Sequence, residues 1–363
     1  MFDTLYNGLT PFFLVVFAAI LLKYLCNTFE QPAAYLGRRL PPGVKGSTIN
    51  AIGSSMPEMC VVIVCLFFFN DPQLVLVGLG VTAGSAIFNG CVIPAISIIV
   101  ARDAYGNPVE SISLDKKALA RDVFWVLLAE LALIYCLGFT AFNITMAVAL
   151  NLIYIGYGIH LYWDTRKANI QDETYEYEEI EDLGFIRNLL TFNFNALLFK
   201  NKEFTTGRAL VVLGLAIAGI TIASHLLVEG VLGASDVLGV PAFFSGLVLG
   251  SAASSIPDLI LSVQDAKKGE FEDAVSNPLA SNTFDTTIAF ALPMLVWFLW
   301  HGESELPLVQ DEGLNFLRWS IIAVTIAVAS ALLFKHTRVT KKVAWFLLAV
   351  FGTWLGSVVL FLS

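Results

Sequence analysis

The chain has 363 residues, of which 57% are hydrophobic and 14% charged, and its formal net charge is −9. A soluble domain carries roughly a quarter of its residues as charges, so this composition excludes a water-soluble globule and makes lipid the main solvent. The acidic balance, with no basic stripe carrying interleaved aromatics, excludes nucleic acid as a partner.

Apolar runs long enough to cross a bilayer of about 30 Å follow one another at 8–26, 46–69, 73–101, 118–138, 142–163, 207–232, 239–264, 274–300, 315–334 and 342–362. No basic region precedes the first run and no small-residue cleavage site follows it, so it is expected to be a retained helix. The longest polar gap, 164–206, holds the acidic stretch Asp172 to Asp182. That stretch lacks the DxDxDG spacing of a calcium loop and is expected to be a solvated linker. With the N-terminus outside, 20 of the 21 Lys and Arg residues fall on the cytoplasmic side and only Arg318 on the other, the asymmetry that membrane insertion produces. The expected architecture is therefore an all-α membrane protein of ten transmembrane helices. Residues 1–163 form a first five-helix repeat, 164–206 a cytoplasmic linker and 207–363 a second repeat, with both termini outside. Cys26, Cys60, Cys65, Cys91 and Cys136 show no CxxC spacing and read as buried apolar residues.

An odd number of spans per half inverts one half relative to the other, and the halves are related in sequence. Gly53-Ser-Ser-Met-Pro-Glu58 matches Ala253-Ser-Ser-Ile-Pro-Asp258, and Gly84-Ser-Ala-Ile-Phe-Asn89 matches Ala280-Ser-Asn-Thr-Phe-Asp285. Gly46 and Gly246 each lie 11 residues before the motif proline. Inverted repeats with interrupted helices at corresponding positions point to a transporter with its site near the bilayer midplane. A carboxylate at that depth costs about 2.5–3.5 kcal/mol on an insertion scale, so Glu58 and Asp258 are expected to face each other, a cation or water. Ser54 and Glu58, Ser254 and Asp258, Ser85 and Asn89, and Ser281 and Asp285 are each four apart and share a helix face. Pro57 and Pro257 have no N–H, which frees the carbonyls of Gly53 and Ala253. Oxygen-only surroundings of this kind suit hard cations such as calcium, whereas transition metals call for His or Cys. Glu130, inside the fourth run, reads either as part of an access route or as a helix-packing group. Asn50, Asn151 and His225 are expected to hydrogen-bond between helices. No HExxH or GxSxG motif stands in a convincing context, so a transporter and not an enzyme is expected, with no cofactor.

These motifs resemble the signature repeats of the cation/calcium exchanger superfamily, approximately G-T/S-S-x-P-E/D and G-S-x-x-F-N/D. Within it the likeness is greatest to the potassium-dependent sodium/calcium exchangers, through Asp285, Thr287, Pro293, Ala274-Val-Ser276 and Leu119-Ala-Arg-Asp122. The sequence departs from the pattern at Ser54 and Ser254, where Thr is frequent, and at Ala253, Ala280 and Thr283. The resemblance implies a central calcium site from Glu58 and Asp258 with Ser54 and Ser254 beside them. It implies flanking sodium sites from Ser55, Ser85, Asn89, Ser255 and Ser281 with the carbonyls of Ala51 and Ser251. Asp285 would be linked to potassium, or be protonated while calcium is bound. The implied function is antiport of sodium, with potassium as a candidate co-ion, against calcium. The rivals are a proton-coupled or sodium-only exchanger using the same acids, and a passive channel. A monomer in a prokaryotic inner membrane is the default expectation for its setting.

Overall fold

The computed structural model describes residues 2–38, 49, 51–69, 71–103, 105–167, 184–308, 312–333 and 338–363. Gly46, Asn50 and the stretch Asp172 to Asp182 lie outside the described residues. In chain order the helices are α1 (Phe2–Leu36), a broken α2, α3 (Val75–Val100), α4 (Lys116–Cys136), α5 (Ile144–Lys167), α6 (Thr206–Leu238), α7 (Ala242–Lys268), α8 (Phe271–His301), α9 (Glu312–Leu333) and α10 (Lys341–Leu362). Helix α2 consists of Ala51–Ser54, Met56–Ile63 and a π-helical turn Val64–Phe68.

Eight of these helices are long and apolar enough to cross a membrane. The other two are α2, whose apolar stretch is the shorter Met56–Phe68, and α4, which carries Arg121, Asp122 and Glu130. Large apolar side chains such as Phe13, Phe17, Leu131, Leu152, Ile222 and Trp319 point outward, which is where lipid would meet them. Helices α1 and α6 lie along each other and share an apolar cluster with α2 through Leu22, Leu25, Cys65, Ile220 and Leu227. A second cluster joins α3, α4, α5, α8, α9 and α10 through Leu79, Leu133, Leu150, Phe290, Leu317 and Leu347. All five cysteines are buried and free, as expected of small apolar residues.

In lipid, apolar side chains gain little by leaving one helix surface for another, so close backbone approach holds helices together. The crossing of α3 and α7 depends on it. A Cβ on Gly84 would stand 2.1 Å from the Leu247 carbonyl oxygen and 2.7 Å from Ser251 Oγ. Gly84→Ala is therefore expected to destabilise the protein by about 1–3 kcal/mol, the usual cost of overpacking. Gly158→Ala on α5, where nothing lies within 4 Å, should not. Thermal unfolding of both variants in detergent checks this, and equal melting points would mean that α3 and α7 can part without cost.

Two short antiparallel ribbons stitch the chain at its ends. β1 (Ser111–Ser113) pairs with β4 (Arg338–Thr340), placing Ile112 opposite Val339. β2 (Ala141–Asn143) pairs with β3 (Glu305–Pro307), placing Phe142 opposite Leu306. An ion pair of 3.0 Å between Lys341 Nζ and Glu110 Oε1 reinforces the first ribbon. On α4, Arg121 Nε holds Asp122 Oδ1 at 2.8 Å, and Tyr157 of α5 donates to the same oxygen at 3.4 Å. The described part of the 164–206 segment contains helices Phe185–Leu190 and Phe194–Phe199. It is tied to α1 by the Thr28 hydroxyl, which donates to the Phe192 carbonyl at 3.0 Å.

Two expectations are corrected. Asn151 donates to the Ala147 carbonyl of its own helix at 2.7 Å instead of bridging helices. His225 stacks on Phe69 with ring centroids 4.9 Å apart and meets Glu229 of its own helix at 3.4 Å. In both cases a partner one helical turn away is nearer than one on a neighbouring helix.

Candidate functional site

The four motif segments meet where α2, α3, α7 and α8 cross. Helices α2 and α7 break at the same place, Ser55 (φ −92°, ψ 6°) and Ser255 (φ −82°, ψ 2°), two residues before Pro57 or Pro257. Proline withholds the N–H that would continue the ladder, so Met56 and Ile256 open new helices and bring Glu58 and Asp258 into their first turns.

Ser54, Ser55, Glu58, Ser85, Asn89, Ser254, Ser255, Asp258, Ser281 and Asp285 are all 0% exposed. Their hydrogen bonds run both within each half and between the halves. Ser254 stands near Glu58 and Ser54 near Asp258. Ser85 Oγ lies 3.1 Å from Glu58 Oε1, and Ser281 Oγ donates to Asp258 Oδ1 at 2.8 Å. The i, i+4 pairs read from the sequence do share faces, but Ser54 and Ser254 each stand beside the motif acid of the opposite half. Sequence spacing reports only the helix it belongs to and cannot show this.

Asp285 joins the same network. Its Oδ2 lies 3.1 Å from Ser85 Oγ and 3.4 Å from Asn89 Nδ2, and Ser55 stands beside it with its hydroxyl unpartnered among the described residues. Asn89 also stands near Asp258. Ser85 Oγ is therefore within hydrogen-bonding distance of Glu58, Asp285 and, at 2.7 Å, Ser255 Oγ. A hydroxyl carries one proton and cannot satisfy three oxygens. Glu58 Oε2, Asp258 Oδ2, Asp285 Oδ1 and Asn89 Oδ1 have no hydrogen-bond partner at all among the described residues. Buried carboxylate oxygens left this way are costly, and a cation or proton among them would remove that cost. The donor set is oxygen throughout. Among the described residues no group of three or more His, Cys, Asp or Glu could hold a metal ion.

The backbone carbonyls of Ala51 and Ser251 each accept one N–H at 3.0 Å, from Ser55 and Ser255. They also lie 3.4 and 3.2 Å from the hydroxyls of Ser54 and Ser254.

Some neighbours carry no signal in the repeat comparison. Asn282 of α8 donates to the Ala86 carbonyl of α3 at 2.8 Å, locking the two motif helices. Tyr154 of α5 stands close enough to Asp285 to feel its charge. Glu130 stands apart from the three acids, beside Thr325 and Cys91. Cys60 turns from the site toward the Thr221 hydroxyl, 3.6 Å away.

Fold and site together define a membrane-embedded helical protein with a sealed, acid-lined polar centre. The sequence matches the profile of the family described as sodium/calcium exchanger protein over residues 10–163 and 208–360. This chain belongs to that family, whose members are multi-pass membrane transporters and not enzymes. Sodium/potassium/calcium exchanger 2 of Mus musculus is 36% identical over 99 residues, 27% of this chain and 15% of that protein. Sodium/potassium/calcium exchanger 1 of Gallus gallus is 30% identical over 138 residues, 36% of this chain and 21% of that protein. The matched stretches are thus a small part of those relatives. Among solved structures, the H+/Ca2+ exchanger CAX superposes with a TM-score of 0.67 at 16% identity, covering 98% of this chain and 81% of that one. The sodium–calcium exchanger NCX_Mj superposes with a TM-score of 0.56 at 21% identity, covering 97% and 98%. At these identities the likeness is one of fold.

Proposed function

We propose that this protein is a secondary antiporter that exchanges sodium for calcium by alternating access. The observation that carries the reading is the convergence of Glu58, Asp258 and Asp285 on a fully buried hydroxyl network that leaves an oxygen of each without a donor. Glu58 and Asp258, with Ser54 and Ser254, hold calcium. Ser55, Ser85, Asn89, Ser255 and Ser281, with the carbonyls of Ala51 and Ser251, hold sodium, and Asp285 holds potassium or a proton. Calcium and sodium compete for the same carboxylates, so the sealed state is accessible only when their charge is neutralised. Bare carboxylates resist dehydration, and that coupling produces exchange instead of leak.

The protein is built in this reading as ten crossings in two inverted repeats, 1–163 and 207–363, joined by a cytoplasmic 164–206 segment. The exchanged ribbon pairing supports it, since a two-fold relation that carries β1 to β3 and β2 to β4 turns one ribbon into the other. The family match in two separate segments agrees. The charge asymmetry of the loops favours both termini outside, in a prokaryotic inner membrane, with the protein acting as a monomer without a cofactor.

A proton-coupled reading is favoured by one observation, the single Ser85 proton among three oxygens, because a proton on Glu58 or Asp285 would also complete that network. Calcium-45 uptake into proteoliposomes separates the two. Uptake is expected to follow an outward sodium gradient at equal pH; uptake driven by a pH gradient alone, with no response to sodium, would establish the rival.

A further inference from the structure

Two stretches leave the central acids toward the face to which the basic residues assign the cytoplasm: α7 beyond Asp258 and α8 before Ser281. The 2.8 Å hydrogen bond from Ser281 to Asp258 fixes their antiparallel register. One turn further on lie Ser262 on α7 and Asn277 on α8, and a turn beyond those, Asp265 and Asp273. Ser262 is fully buried and its hydroxyl has no partner among the described residues. Asn277 is 5% exposed, and neither its amide nitrogen nor its oxygen has a partner there. Asp265, 8% exposed, lies within electrostatic reach of Glu270, Asp273 and Lys268. Glu270, Asp273 and Ser113 line a surface cavity of 380 Å³ at the end of this stripe.

The first repeat shows that packing does not demand these residues. Aligned by the motifs, Ser262, Asp265, Asp273 and Asn277 correspond to Val62, Cys65, Val77 and Val81. All four are apolar and at most 2% exposed. Buried polar groups without partners are rare and carry a free-energy cost that valine avoids. Something other than packing keeps them in the second repeat alone.

We propose that Ser262, Asn277 and Asp265 form a hydrophilic track that passes cations between the central carboxylates and the cytoplasmic face. The proposal rests on the exchange reading above. The side-chain oxygens of the three residues replace part of a cation's hydration shell as it is shed, and Asp265 with Asp273 concentrates cations at the mouth. The apolar counterpart in the first repeat forms a dry seal, so the two faces differ in how ions reach one site.

The test uses the full chain in oriented vesicles, with its five native cysteines replaced by alanine. Ser262→Cys and Asn277→Cys are each treated with a small cationic methanethiosulfonate from the cytoplasmic face. Both are expected to react, and calcium should slow the reaction. Separately, Asn277→Leu should lower the maximal calcium exchange rate at least tenfold while the solubilised protein binds calcium with unchanged affinity. No labelling at either cysteine, when the unfolded protein labels fully, would overturn the track, and so would an undiminished rate in Asn277→Leu. Labelling needs no transport, so a protein that exchanges no calcium but labels at both positions removes the exchange reading and keeps the track.

Discussion

Glu58→Gln and Asp258→Asn are each expected to abolish calcium exchange while leaving the protein folded and inserted. Each substitution keeps size, exchanges one acceptor oxygen for an NH2 donor and removes one of the charges at the bottom of a fully buried site. Calcium is bound by carboxylate charge as much as by oxygen count, and no hydroxyl among Ser54, Ser85, Ser254 and Ser281 can replace it. Removing one partner of a buried charge pair costs about 3–5 kcal/mol, so calcium affinity should fall by roughly two to four orders of magnitude. The fold should tolerate both changes, because an unneutralised carboxylate in this setting is itself a burden. Calcium binding to the detergent-purified variants, alongside their thermal unfolding, provides the check. Wild-type affinity in either variant would place the calcium site elsewhere.

Replacing potassium by choline at fixed pH and sodium is expected to slow calcium exchange severalfold, and Asp285→Asn to leave the remaining flux indifferent to potassium. Glu58 and Asp285 each place an oxygen 3.1 Å from the same Ser85 hydroxyl, so their carboxylates are near neighbours. Together with Asp258 the site carries up to three negative charges, of which one calcium neutralises two. A monovalent cation on the unpartnered Asp285 Oδ1 would balance the third where screening by water is absent. Asn89 occupies the corresponding place in the first repeat, so Asp285→Asn makes the halves alike and removes the reason for a third ion. Equal wild-type rates with and without potassium on both faces would leave protonation of Asp285 as the means of balance.

How much of this was legible in the sequence differs residue by residue. Glu58 and Asp258 stood out because a carboxylate inside an apolar run is expensive, and the same acid follows the same Ser-Ser-x-Pro in both halves. The helix breaks at Ser55 and Ser255 followed from the prolines. The approach of Ser54 to Asp258 and of Ser254 to Glu58 did not, since spacing carries no information about which helix lies opposite. Ser262, Asp265 and Asn277 continue the motif faces by helical turns but went unread, because comparing repeats rewards what matches, and these positions do not. Asn151 and His225 were misjudged for the opposite reason, their partners being one turn away. The three-residue strands were too short for any periodicity to register.

Those strands also bear on how the protein comes into being. Residue 112 pairs with residue 339 and residue 142 with residue 306, so each ribbon waits for a partner synthesised long after it. During translation β1 and β2 present bare edges, which invite improper pairing, until the region beyond α8 has been threaded. Contacts so distant along the chain are slow to form because loop closure must precede them. Final assembly is thereby postponed to the last stage of biogenesis, and a chain that stalls before residue 338 would stay unlatched, open to quality-control proteolysis.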